Sequence, residues 1–436
     1  MNIAIIGAGM AGMGAAHFLQ SKLGQRPIAI DIFERETRPG GICKTERSGK
    51  FLFDYTGHLI HFKDAGFRDL VSGLLHDEFN TIARSAWIYS NNVFTRYPFQ
   101  ANLYGLPPDV IVECIYEYSK EYFNKDKREI KNFEDWILAH FGSGIARYFM
   151  MPYNQKLYKK HPRDLAPDCA GRFVPDSDLK LLLKGAITDA EPGLGYNATF
   201  LYPRTGGIET LSSALAHGLG GLHLNDPVVS VNPETKTIVT RNGKAVSYDA
   251  LVSTQPVTRL IASIHGVPET VVRASERLTH VSVFNLNLGI KGMDGSRHWL
   301  YVPETKFPFY RIGFYHNFSR DLVPPGHGSL YIEVSYDPKT GIDSSATTEK
   351  IISDILAMGI IPGRDAIVER KVIDVPFGYA IHDHERERSL KVINEYLHAQ
   401  HIFSVGRFGS WGYTSMEDSF LQGRGAAEQI LEQIAG

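Results

Sequence analysis

Three observations in the 436-residue sequence predict an α/β fold: a discontinuous Rossmann-like nucleotide-binding domain with a helical insertion and an antiparallel β-sheet domain. A strand, a glycine loop of GxGxxG spacing and a helix open the chain. Helical periodicity dominates 103–190, and alternating segments fill roughly 280–376. The last strand and helix return to the character of the opening, so the first domain is expected to close at the far end of the chain.

The run NIAII (2–6) is short and apolar, Gly7, Gly9 and Gly12 follow it, and 11–23 continues as a helix. Glycines in that position let a pyrophosphate approach backbone amides at the positive end of the helix. PIAIDIFE (27–34) completes the strand–helix–strand unit and ends on Glu34, placed to accept from ribose hydroxyls. FERETRPGGICKT then adds a second loop, Gly40-Gly41. A nicotinamide site has no need of it, whereas FAD, whose pyrophosphate and ribityl chain run on past the first loop, can use a second backbone approach. Two glycine loops in this order favour FAD.

Segments 108–123 and 132–150 read as helices joined by KDKRE. From 221 the chain returns to strands, with an Asn-Gly turn before KAVSYDALVST that marks a hairpin. SVFNLNLGI, WLYV, FYRIGFYH and SLYIEVSYD alternate as sheet strands. HIFSVG is a buried strand, and GRGAAEQILEQI is a helix with Ala426, Ala427, Ile430, Leu431 and Ile434 on one face. The expected domains are 1–86, 193–262 and 395–436 for FAD, 100–192 for a helical substrate-binding insertion, and 87–99 with 263–394 for the sheet. A ligand is expected where the three meet.

Hydrophobic content of 43% and charge of 22% describe an ordinary folded protein. A net charge of -2 gives no global attraction to nucleic acid or anionic membrane, and no nucleic-acid partner is expected. Cys43, Cys114 and Cys169 are odd in number and lack CxxC pairing, which argues against a disulfide framework and against a metal site. No window approaches the run of about 18 apolar residues that a transmembrane helix needs. With no cleavable signal at the N-terminus, the expectation is a soluble cytoplasmic enzyme; its oligomeric state is not legible.

Arginines recur among aromatics: Arg96 before YPFQ, Arg172 in AGRF, Arg311 in PFYRIG and Arg407 in GRFGSWGY. Guanidinium pairs phosphate bidentately and stacks on rings, as a pyrophosphate-plus-base ligand demands. Unrelated salt bridges are the alternative that spacing leaves open. His58, just after a glycine in FLFDYTGHLIHF, reads either as a neutral imidazole satisfying buried neighbours or as a catalytic group.

Seven segments, FLFDYTGHLIHF, YPFQANL, FMMPYNQKLY, NATFLYPRTGG, WLYVPETKFPFYR, FGYA and GRFGSWGY, resemble in order and spacing the UDP-galactopyranose mutases, with wording nearest the eukaryotic-type branch. The likeness extends over nearly the whole chain. It implies an isomerase that interconverts UDP-galactopyranose and UDP-galactofuranose, or a close nucleotide-sugar analogue, without net oxidation. The flavin is active when reduced, N5 attacks the anomeric carbon, UDP leaves, and NADPH or NADH is the external reductant. The resemblance places His58 and Arg407 beside the flavin, and Arg311, Arg172 and Asn197 with His58 among the catalytic groups. It places Tyr97, Gln100, Phe149, Asn154 and Tyr158 around the uridine, and Tyr301, Arg311, Tyr379 and Tyr413 around the diphosphate.

Two details depart toward the bacterial branch. The second phosphate-binding arginine of the eukaryotic pattern falls on Phe173, with Arg172 one place before, and the segment after Tyr413 is shorter. The helix after Ser419 is expected to aim its positive end at the flavin. The rival reading is an FAD-dependent oxidoreductase of the amine-oxidase or protoporphyrinogen-oxidase type, which shares the two glycine loops.

Overall fold

The computed structural model describes residues 1–22, 28–124, 129–169, 174–175, 178–189 and 198–435. The apolar N-terminal run forms β1 (Asn2–Ile6), buried except at its first residue. It joins β2 (Ala29–Phe33), β9 (Leu222–His223), β13 (Ala250–Ser253) and β19 (Ile402–Ser404) in a five-stranded parallel sheet of order β19-β13-β1-β2-β9. Ile3 lies opposite both Ala250 and Ile30, and Leu251 opposite Ile402, so segments from both ends and the middle of the chain share one sheet. A parallel sheet covered on both faces requires apolar central strands, and β1 and β13 are buried almost throughout, while β2 and the edge strand β9 carry the Asp31–His223 pair.

One face of this sheet is covered by α1 (Met10–Gln20) and α12 (Met416–Ala435). These helices approach so closely that a Cβ on Gly423 would lie 1.8 Å from the Ala11 carbonyl oxygen. The other face carries α8 (Val257–Ser263), α9 (Glu269–Arg277) and α11 (Arg386–Ala399), sealed by Leu260, Ile393 and Trp411. A meander of β10 (Val228–Asn232), β11 (Thr237–Thr240) and β12 (Ala245–Ser247) turns at Asn242-Gly243.

The second sheet contains β6 (Ala86–Ser90), β7 (Val93–Arg96), β14 (His280–Lys291), β15 (Trp299–Tyr301), β16 (Arg311–Gly313), β17 (His327–Tyr336) and β18 (Ile367–Ala380). Its seven strands run in the order β18-β14-β17-β16-β15-β6-β7. Its pairings are antiparallel with one exception, because β6 runs parallel to β15, Ala86 opposite Trp299. Only tight turns force antiparallel polarity, and β6 arrives from far upstream without one. On its outer side α10 (Ser344–Ala357) buries Ile351, Ile352 and Ile355 against Leu286, Leu288 and Leu330.

The helical layer holds α3 (Pro108–Phe123), α4 (Phe133–Ile145), α5 (Met151–Tyr158) and α6 (Leu179–Ile187). Proline at the first position of α3 and the Asn132 side chain accepting from Asp135 N begin two of them. The expected single helix 132–150 is broken at Gly142, whose φ of 69° admits the α3 backbone, and a π-turn at 146–150 leads into α5. A Cβ there would sit 2.4 Å from the Glu117 carbonyl oxygen. Between the layers lie two short pairs, β3 (Thr45–Ser48) with β4 (Phe51–Asp54) and β5 (Phe79–Ala83) with β8 (Thr199–Pro203). They pack with α2 (Ala65–Leu75) and α7 (Glu209–Ala216) around Phe53, Phe200 and Tyr202.

Candidate active site

A cleft of about 890 Å³ runs from the glycine loops of the parallel sheet to Tyr301, Arg311, Tyr331 and Tyr379 on the second sheet. At its first end, β1 hands over to Gly7, whose φ of 96° turns the chain across the top of the sheet. Gly12 then permits α1 to lie on that turn, since a Cβ would fall 1.9 Å from the Gly7 carbonyl oxygen. Gly9 caps α1 without a side-chain hydrogen bond, and no acid stands in the helix's first turn. The helix therefore presents uncompensated N–H groups to the cleft, a setting that favours an anion.

The second loop is tied to the first by Gly40 N donating to the Ala8 carbonyl at 2.8 Å. Gly41 faces Gly9 so closely that a Cβ on it would stand 3.4 Å from the Gly9 Cα. A slot lined by bare backbone from both loops fits an extended pyrophosphate. Buried Glu34 accepts from Ala8 N at 2.8 Å and from Glu36 N at 2.9 Å, so backbone donors fix its carboxylate at the cleft wall.

At the other end, the pairing of β15 with β16 sets Tyr301 opposite Arg311, and β17 sets Glu333 opposite Arg311. Arg311 Nε and Nη2 each donate to Glu333 at 2.8 Å, which leaves the Nη1 edge for a ligand. The Arg311 side chain is 18% exposed and its partner 0%, so the carboxylate belongs to the protein and the guanidinium faces the cleft. Burial alone would lower the Arg311 pKa; Glu333 and Tyr379 outweigh it and hold the charge firmly in place.

Tyrosines surround this cation. Tyr97 lies 4.9 Å from Tyr301, and Tyr379 stacks on Tyr413 at 5.8 Å. Arg407 stands over Tyr413 at 4.5 Å and Tyr379 at 5.2 Å while donating to the Gly378 carbonyl. His58 lies on the cleft wall with Nδ1 3.3 Å from the Thr56 carbonyl oxygen. Burial, then the Arg407 charge, pushes its pKa down to about 4, so the imidazole is neutral.

A family model described as NAD(P)-binding Rossmann-like domain matches residues 5–73. Over 99% of this chain and 96% of its own, a structure of reduced UDP-galactopyranose mutase superposes with a TM-score of 0.93 at 30% identity. The chain belongs to the UDP-galactopyranose mutase family.

Two further structures share the fold alone, each over 99% of both chains at 16% identity. One is a protein from Exiguobacterium sp. 255-15 provisionally named protoporphyrinogen oxidase, at TM-score 0.75. The other is putrescine oxidase bound to putrescine, at 0.70.

In this mutase-family chain the cleft brings together Gly7, Gly9, Glu34, Gly40, Gly41, His58, Tyr97, Tyr301, Arg311, Tyr379, Arg407 and Tyr413. Gly12 acts beneath it. Gln100, Phe149, Asn154 and Tyr158 do not line it. Gln100 donates to the Pro175 carbonyl, Asn154 to the Met150 carbonyl, and Phe149 stacks between Phe99 and Tyr153. Tyr158 touches the cleft indirectly, its ring 6.3 Å from Tyr379. Arg96 pairs with Asp189 and lies over Trp87, away from the cleft wall. Arg172 and Asn197 lie outside the described residues.

The C-terminal helix begins at Met416, with Ser419 inside its first turn. Ser415 and Asp418 cap one another's amides, at 2.9 and 3.1 Å, in a capping box. Its positive end is thus partly compensated from within, while Thr414, Ser415, Met416 and Ser419 at this end line the cleft.

Sequence reasoning missed Glu333 and Tyr331, both of which contact the cation: Tyr331 lies 5.9 Å below the Arg311 guanidinium. A lone acid between Ile332 and Val334 in the strand SLYIEVSYD was the available signal for Glu333.

Proposed function

We propose that this protein is an FAD-dependent pyranose–furanose mutase acting on UDP-galactopyranose and UDP-galactofuranose, or on a close nucleotide-sugar analogue. The observation that carries the reading is Arg311, a cation fixed by a fully buried carboxylate and ringed by Tyr301, Tyr331 and Tyr379, at the opposite end of the cleft from two facing glycine loops. Gly7, Gly9, Gly40 and Gly41 would hold the cofactor's pyrophosphate and Glu34 its ribose. When bound and reduced, FAD supplies the nucleophile of the reaction.

The protein's own groups then bind and orient. Arg311 takes the diphosphate through its Nη1 edge and stabilises the negative charge that grows on it as it departs. That cation is preorganised by Glu333, so no side-chain reorganisation accompanies the charge shift. Tyr301, Tyr379 and Tyr413 supply hydroxyls and ring faces for the same ligand, and Arg407 stacks behind them. His58, neutral with Nδ1 turned to Thr56, offers hydrogen bonding without adding charge next to two arginines. A nicotinamide dinucleotide, NADPH or NADH, would enter the same cleft as reductant.

The amine-oxidase form of the rival reading fits this cleft less well, because Arg311 and Arg407 would repel a protonated amine. The deciding experiment is anaerobic incubation of FAD-loaded protein with UDP-galactofuranose, with and without dithionite, followed by chromatography. UDP-galactopyranose formed only under reduction is the expected result. No conversion despite full reduction and tight UDP binding would move the reading to other nucleotide sugars, and no UDP binding would overturn it.

A further inference from the structure

Lys156 lies in α5 with 7% of its surface exposed, and it does not line the cleft. Its Nζ donates to the Val302 carbonyl at 2.7 Å and to the Glu304 carbonyl at 3.0 Å. Both acceptors belong to the loop that leaves β15 just after Tyr301 and returns to β16 at Arg311. On the way back, the same ammonium lies 5.9 Å from the Phe309 ring centroid. One turn earlier in α5, Tyr153 sets its ring edge-on to Tyr301 at 5.5 Å and to Tyr310 at 6.3 Å. The loop is thus held from the helical layer at both of its ends.

Burying an ammonium is costly, and an apolar side chain of similar length would fill this space at less expense. What the ammonium supplies is two charge-assisted bonds to loop carbonyls, that of Val302 and that of Glu304, which also accepts from Phe307 N at 3.3 Å. We propose that Lys156 is a positioning residue: it ties loop 302–304 to the helical layer and so sets where Tyr301 and Arg311 stand in the cleft. The inference rests on the reading of Arg311 as the diphosphate site only for its effect on ligand affinity.

The charged groups facing Lys156 are Lys159 from its own helix, Glu304 from the loop and Asp354 from α10. Glu304 is engaged by Asn91 N and lies 3.0 Å from Lys306, and Asp354 is paired with Lys350. Burial, reinforced by Lys159, lowers the Lys156 pKa to about 7. The latch is therefore charged and strong below neutrality and weaker above it.

The test is hydrogen–deuterium exchange of segment 302–310 in the full-length protein at pH 6.5 and 8.5, corrected for intrinsic exchange, with UDP titrations in parallel. The Val302 amide, which donates to the Tyr310 carbonyl, is the reporter. Wild-type protein is expected to protect it better at pH 6.5 than at 8.5. Lys156→Met should exchange about tenfold faster at pH 6.5, lose the pH difference and bind UDP about tenfold more weakly. Wild-type protection retained in Lys156→Met, or an unchanged pH difference, would overturn the proposal. Should Lys156→Met fail to fold, Lys156→Arg carries the test: a cation kept at both pH values must abolish the difference, and a persisting one refutes the latch. If wild-type protein binds no UDP, the functional reading falls while the exchange data still decide this one.

Discussion

Arginine 311 and glutamate 333 form a pair whose members can be separated by experiment. Arg311→Ala removes both 2.8 Å bonds from a carboxylate that is 0% exposed and leaves it uncompensated. Breaking a buried pair in this way costs about 3–5 kcal/mol, a large share of a stability of about 5–15 kcal/mol. The single substitution thus mixes lost binding with lost stability. Replacing both members, Arg311→Met with Glu333→Leu, removes the stranded charge and should restore the denaturant midpoint close to wild type. It should not restore UDP binding, which is expected to stay weakened by about a hundredfold or more. Urea unfolding and UDP fluorescence titration of the single and double variants decide the matter. A double variant that binds UDP like wild type, or an Arg311→Ala protein with an unshifted midpoint, would refute the reasoning.

Three further outcomes are expected. Gly9 has an ordinary backbone, with only the Gly41 backbone near a Cβ, at 3.8 Å; Gly9→Val should thus leave the melting temperature of the flavin-free protein nearly unchanged while the purified variant loses bound flavin, read from its visible absorbance. Replacing His58 by alanine should slow single-turnover catalysis more than it weakens UDP binding, and equal effects on both would return the histidine to a packing role. Acid should destabilise the fold early, because burial lowers the pKa of His58, His61, His298 and His316 to about 4. Each contributes stability that is present above its unfolded value near 6.5 and lost as pH falls toward 4. Buried Asp54, raised to about 6, works in the opposite sense and offsets only part of this. Unfolding midpoints measured from pH 7 to 4.5 should fall steadily, and a flat profile would contradict the buried neutral histidines.

The sequence by itself determined the parts of this protein that follow from local rules. Gly7, Gly9 and Gly12 between a strand and a helix permit few backbone paths, and the period of 108–123 allows only a helix. The ordered motifs around His58, Arg311 and Arg407 identified the family because each segment carries several side chains of one ligand site. Tertiary structure decided what those side chains face. Arg311 and Arg96 look alike among their aromatic neighbours, yet one is aimed into the cleft by Glu333 and the other is taken up by Asp189 and Trp87. Gln100 and Asn154 have the chemistry of ligand contacts, and the fold directs one donor of each side-chain amide to a backbone carbonyl, that of Pro175 and that of Met150. Lys156 is one of many lysines in the sequence, and only the fold buries it against the loop that carries the site. Burial and cross-strand register arise from contacts between separate segments, 22 residues apart for Arg311 with Glu333 and 146 for Lys156 with Val302, and no local pattern encodes them.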